Sequence, residues 1–212
     1  MTSVRSACCW KHNSVLQPTS LKVRGWAGVT TPNMCGTPMY TLIESSQTLE
    51  YLKDQMICFA NELGKDDCHL GNVRLLKESP RAYLRELENH AKGIGLPEGW
   101  VPATTYWYVD PEGILIGSSS VRHRLTEALR DAGGHISYVI RPAYRRKAHG
   151  TRLLALTLDK AWELGIKRAL LTTNVDNVGS RKVIEKNGGV LIGESMSAIF
   201  NVMKARYWID SM

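Results

Sequence analysis

Residues 145–150 read RRKAHG and combine three cations with a histidine and two small residues. They follow an apolar stretch, HISYVI, and precede TRLLALTLDKAWELG, whose apolar spacing predicts a helix. The first N–H groups of a helix have no partner inside it, and the helix dipole places partial positive charge there. We therefore expect this loop to bind an anion that carries several charges. A solvated basic turn is the alternative.

A second polar stretch follows the next predicted strand, KRALLTT. It reads NVGSRKVIEKNGG, and we expect Asn177 to cap a short helix from Ser180 to Asn187. The two common nucleotide-binding patterns, GxxxxGK[ST] and GxGxxG, do not occur in the chain. An anion at residues 145–150 would thus be bound by a different kind of loop.

This order of strand, basic loop, helix, strand, asparagine and short helix resembles the GNAT family of N-acetyltransferases. The acetyl-CoA motif of that family, Q/R-x-x-G-x-G/A, is matched by residues 145–150, except that Ala148 stands at a glycine position. The downstream family pattern is matched by Asn177, Ser180, Val183, Lys186 and Gly188. The resemblance is clear over residues 134–191 and says nothing about residues 1–38.

The resemblance implies a bound acetyl-CoA and no metal. Its pyrophosphate is expected on residues 145–151, and its pantetheine arm is expected to pair with the backbone of β-strand residues 138–140. Ala148 is expected to keep an ordinary negative φ, and the ring of His149 is expected to pack beside the cofactor. The residues expected to bind the cofactor are Tyr138, Val139, Ile140, Arg145, Arg146, Lys147, Ala148, His149, Gly150, Thr151, Asn177 and Ser180.

The catalytic groups are less clear from the sequence. Many relatives supply a general acid as a tyrosine in the second motif, and Ile184 stands at that position here. This departure resembles ribosomal-protein N-terminal acetyltransferases and a group of predicted bacterial acetyltransferases. Candidate bases are His123, after a predicted hairpin, and His135, on the strand beside the cofactor. Strand alternation places His135 on the face opposite Ile136 and Tyr138, so a structural role is its alternative.

The remaining pattern predicts the fold class. Predicted elements run β-αα-βββ-α-β-α-ββ, with the first helices around residues 48–64 and from Pro80, and a hairpin around PEG. We expect an α/β (α+β) fold: one GNAT-like domain with a central, mixed but largely antiparallel, twisted sheet, splayed at the cofactor site and covered by helices on both faces. Residues 1–38 are expected to form a poorly ordered tail, and residues 39–212 the acetyltransferase domain.

Composition limits the classes of function. The net charge is +7, but four cations and no acid precede Glu44, so the rest of the chain is only mildly basic. Nucleic acid is therefore not expected as a partner, although RHR at 122–124 and RRK keep a nucleic-acid-binding module as an alternative. No apolar run reaches the length of a membrane span, and the five cysteines show no CxxC pair, so a cytoplasmic location is expected.

Together these patterns predict an acetyl-CoA-dependent N-acetyltransferase. The acetyl group would pass to a primary amine, of a small molecule or a peptide, by direct attack in a ternary complex. A homodimer is compatible with the sequence. A non-catalytic acyl-CoA sensor is the alternative that Ile184 and Ala148 keep open.

Overall fold

A computed structural model of the chain describes residues 40–47, 51–64 and 70–211. Its strands are β1 (Thr41–Glu44), β2 (Ala103–Val109), β3 (Leu115–Arg122), β4 (Ile136–Ile140), β5 (Arg168–Asn174), β6 (Val190–Met196) and β7 (Met203–Asp210). Its α-helices are α1 (Leu52–Leu63), α2 (Val73–Glu78), α3 (Pro80–Ala91), α4 (Glu127–Asp131), α5 (His149–Glu163) and α6 (Val178–Lys186). The predicted tail, residues 1–38, and the domain boundary after it lie outside the described residues and stay predictions.

The predicted elements are present, with shifts at their ends. The sequence pattern missed α2, which has only six residues. Helix α5 begins at His149, two residues before its predicted start, and α6 begins at Val178 instead of Ser180. Asn177 caps α6 as expected, because its Oδ1 accepts a hydrogen bond from the Ser180 N–H at 3.0 Å.

The described strands form two antiparallel sheets. One has the order β1-β2-β3-β4, and the other has the order β5-β7-β6. The predicted fold class is confirmed, and the predicted splay appears as a break between β4 and β5.

The two sheets meet where β4 and β5 begin. The His135 N–H donates to the Leu170 carbonyl at 2.7 Å, and the Leu170 N–H donates to His135 Nδ1 at 2.9 Å. Gly134 makes this approach possible, because it has φ of +65° and a Cβ there would lie 2.3 Å from the Leu170 oxygen. Beyond this junction β4 and β5 belong to separate sheets, which leaves one edge of β4 open.

Helices cover both faces of the first sheet, as predicted. On one face α1, α2 and α3 pack on Trp107, Val109 and Leu115, and the buried Val139 belongs to this cluster. On the other face α5 packs on Tyr106, Val121 and Ile136, together with β5 and β7. This alternation fixes the faces of β4: Ile136 and Tyr138 point to the α5 side, and Val139 points to the α1–α3 side.

Candidate active site

The loop between β4 and α5 has an alternating backbone conformation. Arg146 and Ala148 both have φ of 61°, in the left-handed region, whereas Lys147 between them does not. Such alternation turns successive N–H groups toward one side and forms an anion-binding nest. The prediction of a negative φ at Ala148 is therefore wrong. This alanine adopts the conformation for which the family motif carries glycine, and it does so at a steric cost.

The N–H groups that follow are without acceptors. Within the described part of the chain, none of the amides of residues 146–151 donates a hydrogen bond, and the first that does is that of Arg152, to the Ala148 carbonyl at 3.2 Å. No side chain caps the start of α5. Six consecutive donors, at the positive end of a fifteen-residue helix, are thus available to an anion.

The three cations of the loop divide by position. Arg145 Nε donates to the Ile140 carbonyl at 2.9 Å, so this side chain braces the loop against the end of β4. All three side chains are exposed, and Lys147 Nζ lies 5.6 Å from the ring centroid of Tyr144. The predicted charge contribution therefore involves all three cations, of which Arg145 is held nearest to the end of β4.

The start of α5 packs closely on its neighbours. A Cβ at Gly150 would lie 3.3 Å from Val183 Cγ2 on α6, so glycine at this position serves helix packing. The imidazole of His149 is buried and points into an aromatic cluster, with ring centroids of Tyr40 and Tyr108 at 5.3 and 6.0 Å. His149, Gly150 and Thr151 therefore offer an anion their backbone N–H groups. The expected packing of the His149 ring beside the cofactor stays a prediction.

The open edge of β4 presents backbone groups in a regular pattern. The Arg141 N–H donates to the Ile116 carbonyl on β3 at 2.8 Å. Because backbone groups alternate in direction along a strand, those of Val139 also face β3, and those of Tyr138 and Ile140 face away from it. The predicted contact between the backbone of Val139 and the pantetheine arm is therefore corrected. This backbone pairs with Ser118 on β3 and not with a ligand at the open edge.

One side chain links this edge to the second motif. The hydroxyl of Tyr138 lies 2.8 Å from Oγ of Ser180, in the first turn of α6. Burial raises the pKa of Tyr138 to about 12, although the Ser180 hydrogen bond lowers it. The phenol thus stays protonated at neutral pH, which suits a hydrogen-bond donor and not a base. Sequence reasoning missed this pair, because only the packing of α6 on β4 brings the two hydroxyl groups together.

Ile184 is buried and faces the core. It is 1% exposed and belongs to the cluster of α5, β5 and β7. A Cβ at Gly189 would lie 2.4 Å from Ile184 Cγ2, so the turn that follows α6 packs tightly against this side chain. The position at which relatives carry a general acid is thus a packing position here.

His123 lies at the far end of the open edge from the loop. Val121 pairs with Ile136 at the start of β4, so His123, two residues further along, lies beyond that start. Its Nε2 is 2.8 Å from Thr104 Oγ1, and burial lowers its pKa below 6.5. A neutral imidazole at neutral pH is compatible with the predicted role as base, which stays a prediction.

His135 joins the two sheets. Its Nδ1 accepts the Leu170 N–H, so the neutral ring carries its proton on Nε2. Burial, followed by the charges of Arg130 and Arg122, lowers its pKa to about 4. The nitrogen that would take a proton is therefore already engaged in the sheet junction. This geometry favours the structural alternative for His135 over the predicted role as base.

The RHR motif at residues 122–124, which kept nucleic-acid binding as an alternative, has a structural contact at its first arginine. Arg122 Nη1 donates to the carbonyls of Gly133 and Gly134 at 3.2 and 3.1 Å, so this side chain supports the turn before β4.

Within the described ranges, no group of three His, Cys, Asp or Glu side chains could hold a metal ion. None of the helices described is long and apolar enough to cross a membrane.

Comparison with known protein families gives one assignment. The family model described as the acetyltransferase (GNAT) domain matches residues 77–190, which is more than half of the chain. The protein therefore belongs to the GNAT acetyltransferase family, and the predicted enzyme class, an N-acetyltransferase, is confirmed. No curated protein sequence matches the chain.

Solved structures with the same fold are distant in sequence. A dodecameric spermidine N-acetyltransferase from Vibrio cholerae is 15% identical, with a TM-score of 0.57, and the match covers 81% of this chain and 93% of that one. An acetyltransferase from Salmonella typhimurium, described as modifying the N-terminal serine of a 50S ribosomal subunit protein, is 17% identical, with a TM-score of 0.57 and coverages of 82% and 95%. At these identities the likeness establishes the fold alone.

Proposed function

We propose that the protein uses acetyl-CoA to acetylate a primary amine, by direct attack of the amine in a ternary complex. The observation that carries the proposal is the run of six amides at residues 146–151 without acceptors in the described chain, beside the open edge of β4. A diphosphate accepts several hydrogen bonds, and a pantetheine arm carries amide groups that pair with a strand edge. The donor set therefore fits coenzyme A.

The residues that would hold the cofactor divide by the part they contact. The amides of residues 146–151, with Arg146 and Lys147, would bind the pyrophosphate. The backbone of Tyr138 and the N–H of Ile140 would pair with the pantetheine arm, since the Ile140 carbonyl already accepts from Arg145. Bound acetyl-CoA supplies the activated acetyl group.

The reaction requires that a proton leaves the acceptor amine and that the negative charge developing on the sulfur of coenzyme A is stabilised. An alkylamine with a pKa near 10.4 is about one part in a thousand neutral at pH 7, so a base or a water relay must remove its proton. His123, neutral and beyond the start of β4, is the candidate that we retain. Tyr138, held by Ser180, would donate a hydrogen bond to the negative charge that develops on sulfur, in place of the tyrosine absent at position 184.

The acceptor is proposed only as a class. One of the two structural neighbours is a spermidine N-acetyltransferase, and the other is described as modifying the N-terminal serine of a ribosomal protein. Spermidine and an N-terminal serine both carry primary amines, and this chain's fold is compatible with either a small amine or a peptide N-terminus. A substrate panel must therefore contain both kinds.

The direct test is thiol release from acetyl-CoA by the purified full chain, with spermidine, simple amines and peptides with N-terminal serine or alanine as acceptors. We expect amine-dependent release of free thiol, and the ranking of acceptors identifies the class. Acetyl-CoA should also raise the melting temperature. If it does so without any thiol release, the sensor alternative replaces the enzyme. If it does neither, the cofactor assignment is wrong.

A charge reversal tests the placement of the cofactor. Arg146→Glu puts a carboxylate beside the six amides and should weaken acetyl-CoA binding at least about tenfold, measured by calorimetry. Lys77→Glu makes the same change at an exposed lysine of α2 and should leave the affinity unchanged. Equal losses in both variants would mean that only the net charge of the protein matters, and a salt-dependent affinity for nucleic acid should then be measured.

A further inference from the structure

A cavity away from the proposed cofactor site lies between the turn that follows β1 (Ser45–Gln47), the first turn of α1 and one face of α3. Its volume is about 270 Å³. β1 and β4 are the two outer strands of the first sheet, so three strand spacings, roughly 14 Å, separate this edge from the open edge of β4. We call it the α3 cavity. Its polar lining residues are Ser45, Ser46, Lys53, Arg81, Arg85 and Glu88.

Positive charge predominates in the α3 cavity. Arg81 and Arg85 lie four residues apart and therefore share one face of α3, and Lys53 on α1 adds a third cation. Glu88 is the one carboxylate among the described residues of the lining, so three cations and one carboxylate give a net charge of +2. Neither arginine forms an ion pair with a carboxylate of the described chain. Two such charges on one helix face repel each other, and a bound anion would remove that repulsion.

Ser45 adds a buried polar group that lacks a partner. The residue is 2% exposed, and its Oγ neither donates nor accepts a hydrogen bond within the described residues. The hydroxyl of the neighbouring Ser46 is already engaged, because its Oγ donates to Glu44 Oε1 at 2.9 Å. A buried hydroxyl without a partner lowers stability, and an oxyanion beside Ser45 would supply the missing acceptor.

The charge and the size of the α3 cavity select the class of ligand. A phosphate monoester carries a charge of about −1.5 to −2 at pH 7, which matches the net charge of the lining, and it offers three oxygens to arginine and hydroxyl donors. Pockets for drug-sized ligands measure about 300–1,000 Å³. This smaller cavity therefore suits a phosphate group with a short chain, and a nucleotide exceeds it.

We propose that the α3 cavity binds a phosphate dianion, either as inorganic phosphate or as the phosphate group of a small phosphorylated molecule. Arg81 and Arg85 would pair with its oxygens, and the Ser45 hydroxyl would donate to one of them. This inference is independent of the proposed function, because the cavity shares no residue with β4 or with the loop before α5.

Calorimetry of the full chain tests the proposal with inorganic phosphate, glycerol 3-phosphate and succinate as probes. We expect both phosphates to bind at millimolar concentration, and succinate to bind at least about tenfold more weakly because its two charges lie on separate groups. Tighter binding of glycerol 3-phosphate identifies a phosphorylated molecule as the ligand, and equal or weaker binding identifies free phosphate. Absence of binding by both phosphates, or tighter binding of succinate, overturns the proposal.

Substitutions locate the bound phosphate. Arg81→Gln and Arg85→Gln should each weaken phosphate binding at least about tenfold. Arg74→Gln is the matched control, since Arg74 is an exposed arginine of α2 that pairs with Glu78 at 2.8 Å, and it should leave the affinity unchanged. Arg146→Glu should also leave it unchanged. Loss of phosphate binding in Arg146→Glu, or full binding in both cavity variants, would place the phosphate elsewhere and overturn the proposal.

Ser45→Ala separates a ligand contact from a structural role. Without phosphate its melting temperature should equal or exceed that of the wild type, because the buried hydroxyl has no partner to lose. Phosphate should raise the melting temperature of the wild type more than that of the variant. The same rise in both proteins overturns the proposed contact with Ser45.

Discussion

Tyr138 is the residue whose role depends most on its surroundings. On the strand its hydroxyl could serve as base or donor, but burial raises its pKa and keeps it protonated, and the contact with Ser180 fixes its position. Ile184, which the family pattern marks as the acid position, is closed in the core. The proton-donating function of the site has thus moved from α6 to β4 in our proposal.

Tyr138→Phe removes the proposed donor and little else. We expect kcat to fall about tenfold to a hundredfold with a small change in KM for acetyl-CoA, because the hydrogen bond strengthens only as charge develops on sulfur. Steady-state kinetics with the best acceptor measures this split. Ser180→Ala, which leaves the phenol but removes its anchor, should cause a smaller fall in kcat.

Tyr106→Phe is the control for the tyrosine substitution. Tyr106 is a buried tyrosine on β2 whose pKa burial also raises to about 12. Loss of its hydroxyl should leave kcat nearly unchanged. If Tyr138→Phe also retains full kcat, the phenol takes no part in the reaction and Tyr138 is a packing residue.

At the scale of elements, the loop before α5 has a strained backbone whose N–H groups a ligand can bind. The left-handed conformation of Ala148 has a steric cost, and it turns the N–H groups of the loop toward one side. The strain and the unpartnered amides therefore have one structural origin, and both are expected where a site is built in advance for an anion.

Ala148→Gly should relieve that strain. We expect the free energy of unfolding to rise by about 0.5–1 kcal/mol and acetyl-CoA to bind at least as tightly, because glycine adopts this φ without a steric penalty. Chemical denaturation and calorimetry measure the two effects. Ala155→Gly makes the same substitution at an exposed position inside α5 and should lower stability by about 1 kcal/mol. Destabilisation by both substitutions would contradict the left-handed backbone at Ala148.

At the scale of the whole molecule, the junction of the two sheets is a narrow contact. Around His135 and Leu170 the backbone of one sheet reaches that of the other, and Gly134 provides the space for this approach. The junction joins the two sheets where β4 and β5 begin. Further along, β4 and β5 belong to separate sheets, and the edge of β4 is open.

His135 makes the junction sensitive to acid. Its pKa is about 4 in the folded chain and near 6.5 in an unfolded one, so the unfolded state takes up a proton first as the pH falls. The stabilisation by the neutral imidazole is complete above about pH 6.5 and is lost progressively toward pH 4, by an amount on the order of 2–3 kcal/mol after screening by solvent. Urea unfolding of the wild type between pH 7 and pH 4 measures this loss.

His135→Asn keeps an acceptor for the Leu170 N–H but cannot titrate. We expect this variant to lose less stability than the wild type between pH 6.5 and pH 4, whatever its stability at pH 7. His123→Asn, at a histidine that is only half-buried, is the control and should keep most of the wild-type dependence. Identical pH dependence in wild type and His135→Asn would show that the junction does not depend on a neutral imidazole.

The sequence by itself determined the fold class, the order of the elements apart from the short helix α2, and the position of the basic loop before α5. Those features depend on local patterns: the apolar period of α1 and α5, the alternation in β2 and β3, and the position of cations and small residues before a helix. Asn177 at the start of α6 was predictable for the same reason, because capping is a contact between residues three apart.

The tertiary structure alone decided the surroundings in which those residues lie. The left-handed φ of Ala148 and the unpartnered amides depend on how the loop closes onto α5, and the register with β3 turns the backbone of Val139 away from the open edge. His135 and Tyr138 contact neighbours 35 and 42 residues away, and Ile184 lies in the packed core. Contacts over such separations depend on how helices and sheets pack, and local sequence patterns carry no record of them.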